Sequence, residues 1–208
     1  MDSKQPVAIF DFDGTLTNQD SFLPFLRWTH SQKSVWTGLY RCSSTVMSYL
    51  LGRCSNRDIT EKLLTQFYQG WSSETLQTLA IGFAHQDLPK LINPEAIAQL
   101  KWHQEQGHQV ILVSAALEIY LQPWAEMMHI DKTLANRLEI HQGTITGKLQ
   151  EENCYGFEKE KQLRQLLGDL SHYYLYAYGD SKADRHVLAI ADEPYYRKFK
   201  GNQRIMIR

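Results

Sequence analysis

The sequence predicts an α/β protein: a doubly wound parallel sheet with a small helical cap inserted after the first strand. Three short apolar runs carry that expectation. Val7–Phe10 runs into Asp11, Val110–Val113 into Ser114, and Tyr173–Tyr178 into Gly179-Asp180. Each is continuously apolar rather than alternating, the mark of a strand buried on both faces. Each also delivers a polar or acidic residue at its carboxyl end, where open α/β sheets gather their ligands.

Helical patterns separate the runs, and this alternation calls for a parallel sheet. One helix starts at Asn93-Pro94, passes through Ile97 and Leu100, and stops at Gly107, with asparagine capping and proline fitting the first turn. A second carries Leu117, Tyr120, Leu121, Trp124 and Met128 on one stripe; a third carries Leu163, Leu166 and Leu167 and closes at Gly168. Thr144–Gly147, following His141-Gln142-Gly143, reads as a small hairpin. Ile205–Ile207 reads as a last strand.

From Phe22 to Leu91 the pattern is helical only, with stripes Val35, Leu39, Cys42, Val46, Leu50 and then Ile59, Leu63, Phe67, and one helix is expected over Val35–Leu51. The expected division is a core of residues 1–20 and 92–208 and a cap of residues 21–91, lying as a lid over the carboxyl edge of the sheet.

Composition excludes other classes. The 208 residues are 43% hydrophobic and carry a formal net charge of -1. That is a globular chain without the basic footprint of a general nucleic-acid binder. The cysteines, Cys42, Cys54 and Cys154, form neither a disulfide framework nor paired zinc ligands, so a reducing, cytoplasmic setting is expected. No apolar run approaches the roughly 18 residues of a membrane span. The eight histidines are scattered and read as surface or internally satisfied side chains.

The sharpest signal is Asp11-Phe12-Asp13-Gly14-Thr15-Leu16-Thr17. Its D-x-D-G-T-L letters arise by chance in about one chain in several thousand of this length. Two carboxylates one residue apart repel unless a positive charge joins them, and hard oxygen ligands favour Mg²⁺. Gly179-Asp180-Ser181-Lys182-Ala183-Asp184 adds an acidic pair at another strand end. Ser114, with Ala115 and Ala116 at an expected helix start, offers a hydroxyl and backbone N–H groups to a phosphate. Lys159 stands at a helix start, where a cation opposes the helix dipole and points to an anionic partner; Lys161 faces elsewhere. Taken singly, Asp180 and Ser114 are equally good turn or cap residues.

Together these motifs resemble the haloacid dehalogenase-like phosphohydrolase superfamily, over about residues 5–20 and 93–190. Gly14, the helical insert, Ala135-Asn136-Arg137-Leu138 and Asn153–Lys159 are similar to its phosphoserine phosphatase-like branch. The resemblance implies a Mg²⁺-dependent phosphatase for a small phosphomonoester. Asp11 would be the nucleophile that takes the phosphoryl group, and Asp13 the acid and base, its backbone carbonyl joining the metal. Asp11, Asp13, Asp180 and Asp184 form the implied metal set, with Asp184 a ligand or an orienter. Ser114, Ala115, Lys159 and Thr15 would hold the phosphoryl oxygens.

For the substrate, Asp20 is placed to meet an ammonium group, and Arg53 and Arg57 in the cap to meet a carboxylate or a second phosphate. Both arginines are also ordinary solvent-facing residues of a helical hairpin. Ala115-Ala116, where the phosphoserine enzymes have glycines, narrows the approach of an amino-acid substrate. Two alternatives share the chemistry: a phosphotransferase using the same intermediate, and a phosphatidylglycerophosphate-type lipid phosphatase. The latter requires weak membrane-surface contact by the aromatic-rich cap, against which Arg41, Ser43, Ser44 and Ser48 interrupt its apolar run.

Overall fold

The computed structural model describes residues 4–197. Five strands, β1 (Gln5–Phe10), β2 (Gln109–Leu117), β3 (Lys132–Asn136), β6 (Tyr173–Gly179) and β7 (Glu193–Tyr196), form one parallel sheet in the order β3-β2-β1-β6-β7. β1 is central. The chain leaves it toward β2 and β3 and later returns on its other side as β6, so the strand order reverses between β1 and β6. Such a reversal opens a crevice at the carboxyl ends, and Asp11 and Asp180 stand at its two lips.

The continuous apolar runs are explained by burial on both faces. Ala8, Phe10, Val110, Leu112 and Tyr178 pack on one side with α6 (Pro94–Glu105) and α7 (Glu118–Met127). Val7, Ile9, Ile111, Val113, Leu175 and Ala177 pack on the other with α8 (Phe157–Leu167) and α9 (Arg185–Ala189). The expected doubly wound fold is what forms. Asn93 caps α6 by accepting from the Glu95 N–H at 3.1 Å, and Gly107 follows with φ 71°.

Residues 22–91 hold α1 (Phe22–Thr29), α2 (Gln32–Arg41), α3 (Ser43–Leu50), α4 (Asn56–Tyr68) and α5 (Ser73–Gln86). The single helix expected over Val35–Leu51 is two, broken at Cys42. The run Ser43-Ser44-Thr45 is poor in helix formers, because these side chains compete for local backbone hydrogen bonds.

β4 (Leu138–His141) and β5 (Thr144–Leu149) form the expected hairpin, longer than the four residues read from sequence. It binds the helical insert to the core: the Gly70 N–H donates to the Ile145 carbonyl at 2.9 Å, and Thr65 Oγ1 to the Gly147 carbonyl at 3.2 Å. β3 and β7 carry no strong sequence signal and are not among the strands that the sequence predicts. The strand expected at Ile205–Ile207 lies outside the described residues.

One histidine has a structural consequence. His103 of α6 is fully buried among Phe10, Tyr176 and Tyr178; its Nε2 lies 2.8 Å from the Tyr178 hydroxyl and its Nδ1 2.8 Å from His108 Nδ1. Burial, then the neighbouring His108, push its pKa down to about 3. A group depressed in the native state leaves the unfolded chain holding the extra proton, so stability falls as pH drops below the unfolded value of about 6.5. His103→Gln is expected to flatten that fall by up to about 1.4 kcal/mol per pH unit between pH 6.5 and 5. Denaturant unfolding at several pH values checks this; parallel curves for the two proteins would refute it.

Candidate active site

The first acidic loop is built by one tight turn. Gly14 has φ 82°, and its N–H donates to Thr17 Oγ1 at 3.1 Å while the Thr17 N–H returns to the Phe12 carbonyl at 3.0 Å. A Cβ on Gly14 would stand 2.5 Å from Asp180 Oδ2, so glycine is needed both for its backbone angle and for the close approach of the second acidic loop. A Cβ on Gly179 would stand 2.5 Å from the Asp184 Cβ.

Lys159, buried on the first turn of α8, donates to Asp11 Oδ1 at 2.6 Å and to Asp184 Oδ1 at 2.7 Å. Asp184 is saturated: its Oδ2 accepts the Ser181 N–H at 2.9 Å, the Ser181 hydroxyl at 2.8 Å and the Asp180 N–H at 3.2 Å. Burial alone raises the Asp184 carboxyl, but Lys159 and Ser181 outweigh it and hold it below the usual carboxylate range. Burial also lifts Asp11 to about 6 against the pull of Lys159. Asp180 is raised by burial and by the nearby Asp184 charge. Lys159 is disfavoured by burial, yet its two carboxylates keep it firmly protonated.

Carboxylate oxygens of Asp11, Asp180 and Asp184 all lie within 4.8 Å of one another. This hard-oxygen set fits a Mg²⁺-sized cation, and the raised carboxyls of Asp11 and Asp180 are those that a bound dication would relieve. Asp184 already accepts four donors, so Asp11 and Asp180 have the freer carboxylate oxygens for a cation. The side chain of Asp13 stands outside this carboxylate cluster, which leaves its backbone carbonyl as the group that would join a metal. Its Oδ1 accepts the Ser21 N–H at 2.8 Å, and Ser21 in turn meets the Tyr120 hydroxyl at 2.9 Å. Burial first, then the neighbouring Asp20, raise Asp13 well above the ordinary carboxylate value, which favours its protonated form.

Asp11, Asp13, Ser114, Ala115 and Lys159 line one cavity of about 300 Å³ between the sheet edge and α4. Three expectations are corrected. Ser114 does not open a helix: β2 bulges after Val113, pairs again with β3 at Leu117, and α7 begins only at Glu118. The Ser114 hydroxyl accepts the Ala116 N–H at 3.0 Å, which shapes the bulge from within. Thr15 turns its hydroxyl to Asp180 Oδ1 at 3.4 Å and is absent from the cavity wall.

The cap arginines are the third. Arg57 is bound to Glu61 at 3.0 Å, to Glu152 at 3.1 Å and to the Leu149 and Glu151 carbonyls, and neither it nor Arg53 lines the cavity. Asp20 does line it, while also accepting the Phe22 N–H at 2.9 Å.

Sequence reading missed an asparagine chain. Asn153 donates to Asn56 Oδ1 on α4, and Asn136 Nδ2 to Asn153 Oδ1 and to the Ala115 carbonyl, each at 2.7 Å. Three separated asparagines thus join the cap to the Ser114 bulge. The available signal was that Asn136 and Asn153 fall in the two stretches that resemble the phosphoserine phosphatase-like branch.

Gly14→Ala is expected to displace Asp180 and raise the Mg²⁺ concentration needed for half-maximal thermal stabilisation by about tenfold or more. A titration followed by melting temperature checks this; an unchanged midpoint would refute the assignment of Asp180.

The parallel sheet thus brings a buried acid at the end of its central strand, a lysine and a carboxylate cluster to one edge. The model of the haloacid dehalogenase-like hydrolases matches residues 8–189, and the chain belongs to that family. The protein CicA of Caulobacter vibrioides is 33% identical over 200 residues, 95% of this chain and 88% of its own. A probable phosphatase of Mycobacterium tuberculosis is 26% identical over 186 residues, covering 87% of this chain and 64% of the relative. Among solved structures, a Bordetella pertussis protein of unknown function superposes with TM-score 0.79 at 22% identity, over 90% of this chain and 87% of the other. A phosphoserine phosphatase in a phospho-aspartyl intermediate analogue form superposes with TM-score 0.60 at 18% identity, over 91% and 84%. These structures share its fold.

Proposed function

We propose that the chain is a Mg²⁺-dependent phosphomonoesterase that works through an aspartyl-phosphate on Asp11. The carrying observation is the placement of Asp11: a buried carboxylate at the carboxyl end of the central strand, gripped by Lys159 and facing the same cavity as Asp13. Attack forms a bond from an Asp11 carboxylate oxygen to phosphorus and breaks the bond from phosphorus to the alcohol oxygen. Asp13, whose burial favours the protonated form, gives its proton to the leaving alkoxide. It then takes a proton from the water that attacks the aspartyl-phosphate, releasing phosphate and restoring Asp11. Lys159 and the Ser114 bulge hold phosphoryl oxygens. Mg²⁺, held by Asp11 and Asp180, would neutralise charge on the transferring group. Residues 21–91 serve as the cap over the site, with α4 forming one wall.

A lipid-phosphate substrate is the second reading, favoured by one surface. Trp36, Tyr40, Met47, Leu50 and Leu51 of α2, α3 and the residue beyond are exposed. Between Asp20 and Asp58 the chain has Arg27, Lys33, Arg41, Arg53 and Arg57 and no acidic residue. Aromatic and basic groups together suit an anionic interface. Among the described residues, no helix is long and apolar enough to cross a membrane.

Phosphate release from an aryl phosphate, phosphoserine and phosphatidylglycerophosphate micelles, with Mg²⁺ or with chelator, tests both readings. Metal-dependent release is expected, and preference for the micelle would select the lipid substrate. Transfer of phosphate to an added alcohol with none to water would instead identify a phosphotransferase.

A further inference from the structure

We infer that the alcohol half of the substrate carries no carboxylate and is held by an apolar wall of Phe22, Ile59, Leu63 and Leu117; this rests on the phosphatase reading above. The cavity around Asp11 has two unlike sides. Toward the sheet lie the groups that handle phosphate. Toward the cap lie Phe22 of α1, Ile59 and Leu63 one turn apart on α4, and Leu117 at the end of β2.

Its charges are lopsided as well. Asp11, Asp13 and Asp20 line it, and among the described residues Lys159 is the one cationic side chain that does. Lys159 is engaged by Asp11 and Asp184 and stands on the phosphate side. A carboxylate on the leaving group would therefore enter a partly desolvated pocket beside Asp13 and Asp20 with no cation to meet it. The nearby arginine has its donors directed to Glu61, Glu152 and two backbone carbonyls, which ties α4 to the loop following β5. Asn56, at the cavity edge, is likewise engaged by Asn153 and Tyr49. Beside the hydroxyls of Thr60, Tyr120 and Tyr155, which carry no charge, what remains for recognition is shape and apolar contact.

The test compares n-butyl phosphate with 4-phosphooxybutanoate, in which a carboxylate replaces the terminal methyl, and with phosphoserine, all at saturating Mg²⁺. The expected result is a kcat/KM for butyl phosphate at least about tenfold above either carboxylate. Leu63→Arg, which offers the missing cation, is expected to narrow the gap between the matched pair by about tenfold. Equal or better turnover of the carboxylates by the wild-type chain would overturn the inference. An unchanged ratio in a folded Leu63→Arg would overturn the placement of the wall. Either failure leaves the phosphatase reading standing as long as Mg²⁺-dependent release is lost in Asp11→Asn; no release from any substrate overturns both.

Discussion

Asp11→Asn is expected to lower kcat for phosphate release by at least about 10⁴-fold while the protein stays folded. Asparagine keeps the shape of the side chain but its amide is a very poor nucleophile toward phosphorus, so no covalent intermediate forms. The fold survives because Lys159, the cation that Asp11 faces, retains its 2.7 Å contact to Asp184 and is not left as an unpaired buried charge. Phosphate release measured beside a thermal melt separates the two effects. A folded variant that keeps more than about one per cent of wild-type turnover would place the nucleophile elsewhere.

Lys159→Met is expected to act in the opposite way, through stability. Methionine fills much the same volume, but Asp11 and Asp184 lose the ammonium that bridges them at 2.6 and 2.7 Å, beside Asp180. Removing one partner of a buried ionic cluster leaves uncompensated charge, at a cost of about 3–5 kcal/mol.

Two controls distinguish this from a simple packing defect. Mg²⁺ supplies positive charge at the same cluster, so it should raise the melting temperature of Lys159→Met more than that of the wild type. The pH dependence also has a defined sign. In the wild-type chain Lys159 holds Asp184 below its ordinary value, a contribution present above that value and lost as pH falls through the native one. The penalty in Lys159→Met should therefore shrink on acidification, as the exposed carboxylate repulsion is relieved by protonation. A variant as stable as wild type in chelator at pH 8 would refute the electrostatic role of Lys159.

The asparagine chain shows why part of the site was not legible in the sequence. Asp11, Asp13 and Asp180 announce themselves because each follows a strand buried on both faces, a local pattern with a period that can be read directly. Asn136 and Asn153 fall in stretches that carry the family resemblance, but nothing local ties them to each other or to Asn56, and only folding makes the three neighbours. Arg57 is the converse case. As a residue type it suits a carboxylate ligand, yet Glu61 and Glu152 claim it once α4 packs beside the loop after β5.

The start of α7 is a third instance. Ser114-Ala115-Ala116 reads locally as a helix entry, but pairing of Leu117 with Asn136 extends β2 through it and converts it into a bulge facing the cavity. Sequence by itself determined the doubly wound sheet, three of its strands, the helical stretch between the first two and the acids at the strand ends, because apolar runs and turn chemistry are local. The tertiary structure decided that Asp184 is engaged by Lys159 and Ser181, that the Asp13 side chain stands apart from Asp11, Asp180 and Asp184, and that Phe22, Ile59, Leu63 and Leu117 line the cavity beside it, because each depends on which side chains meet across the fold.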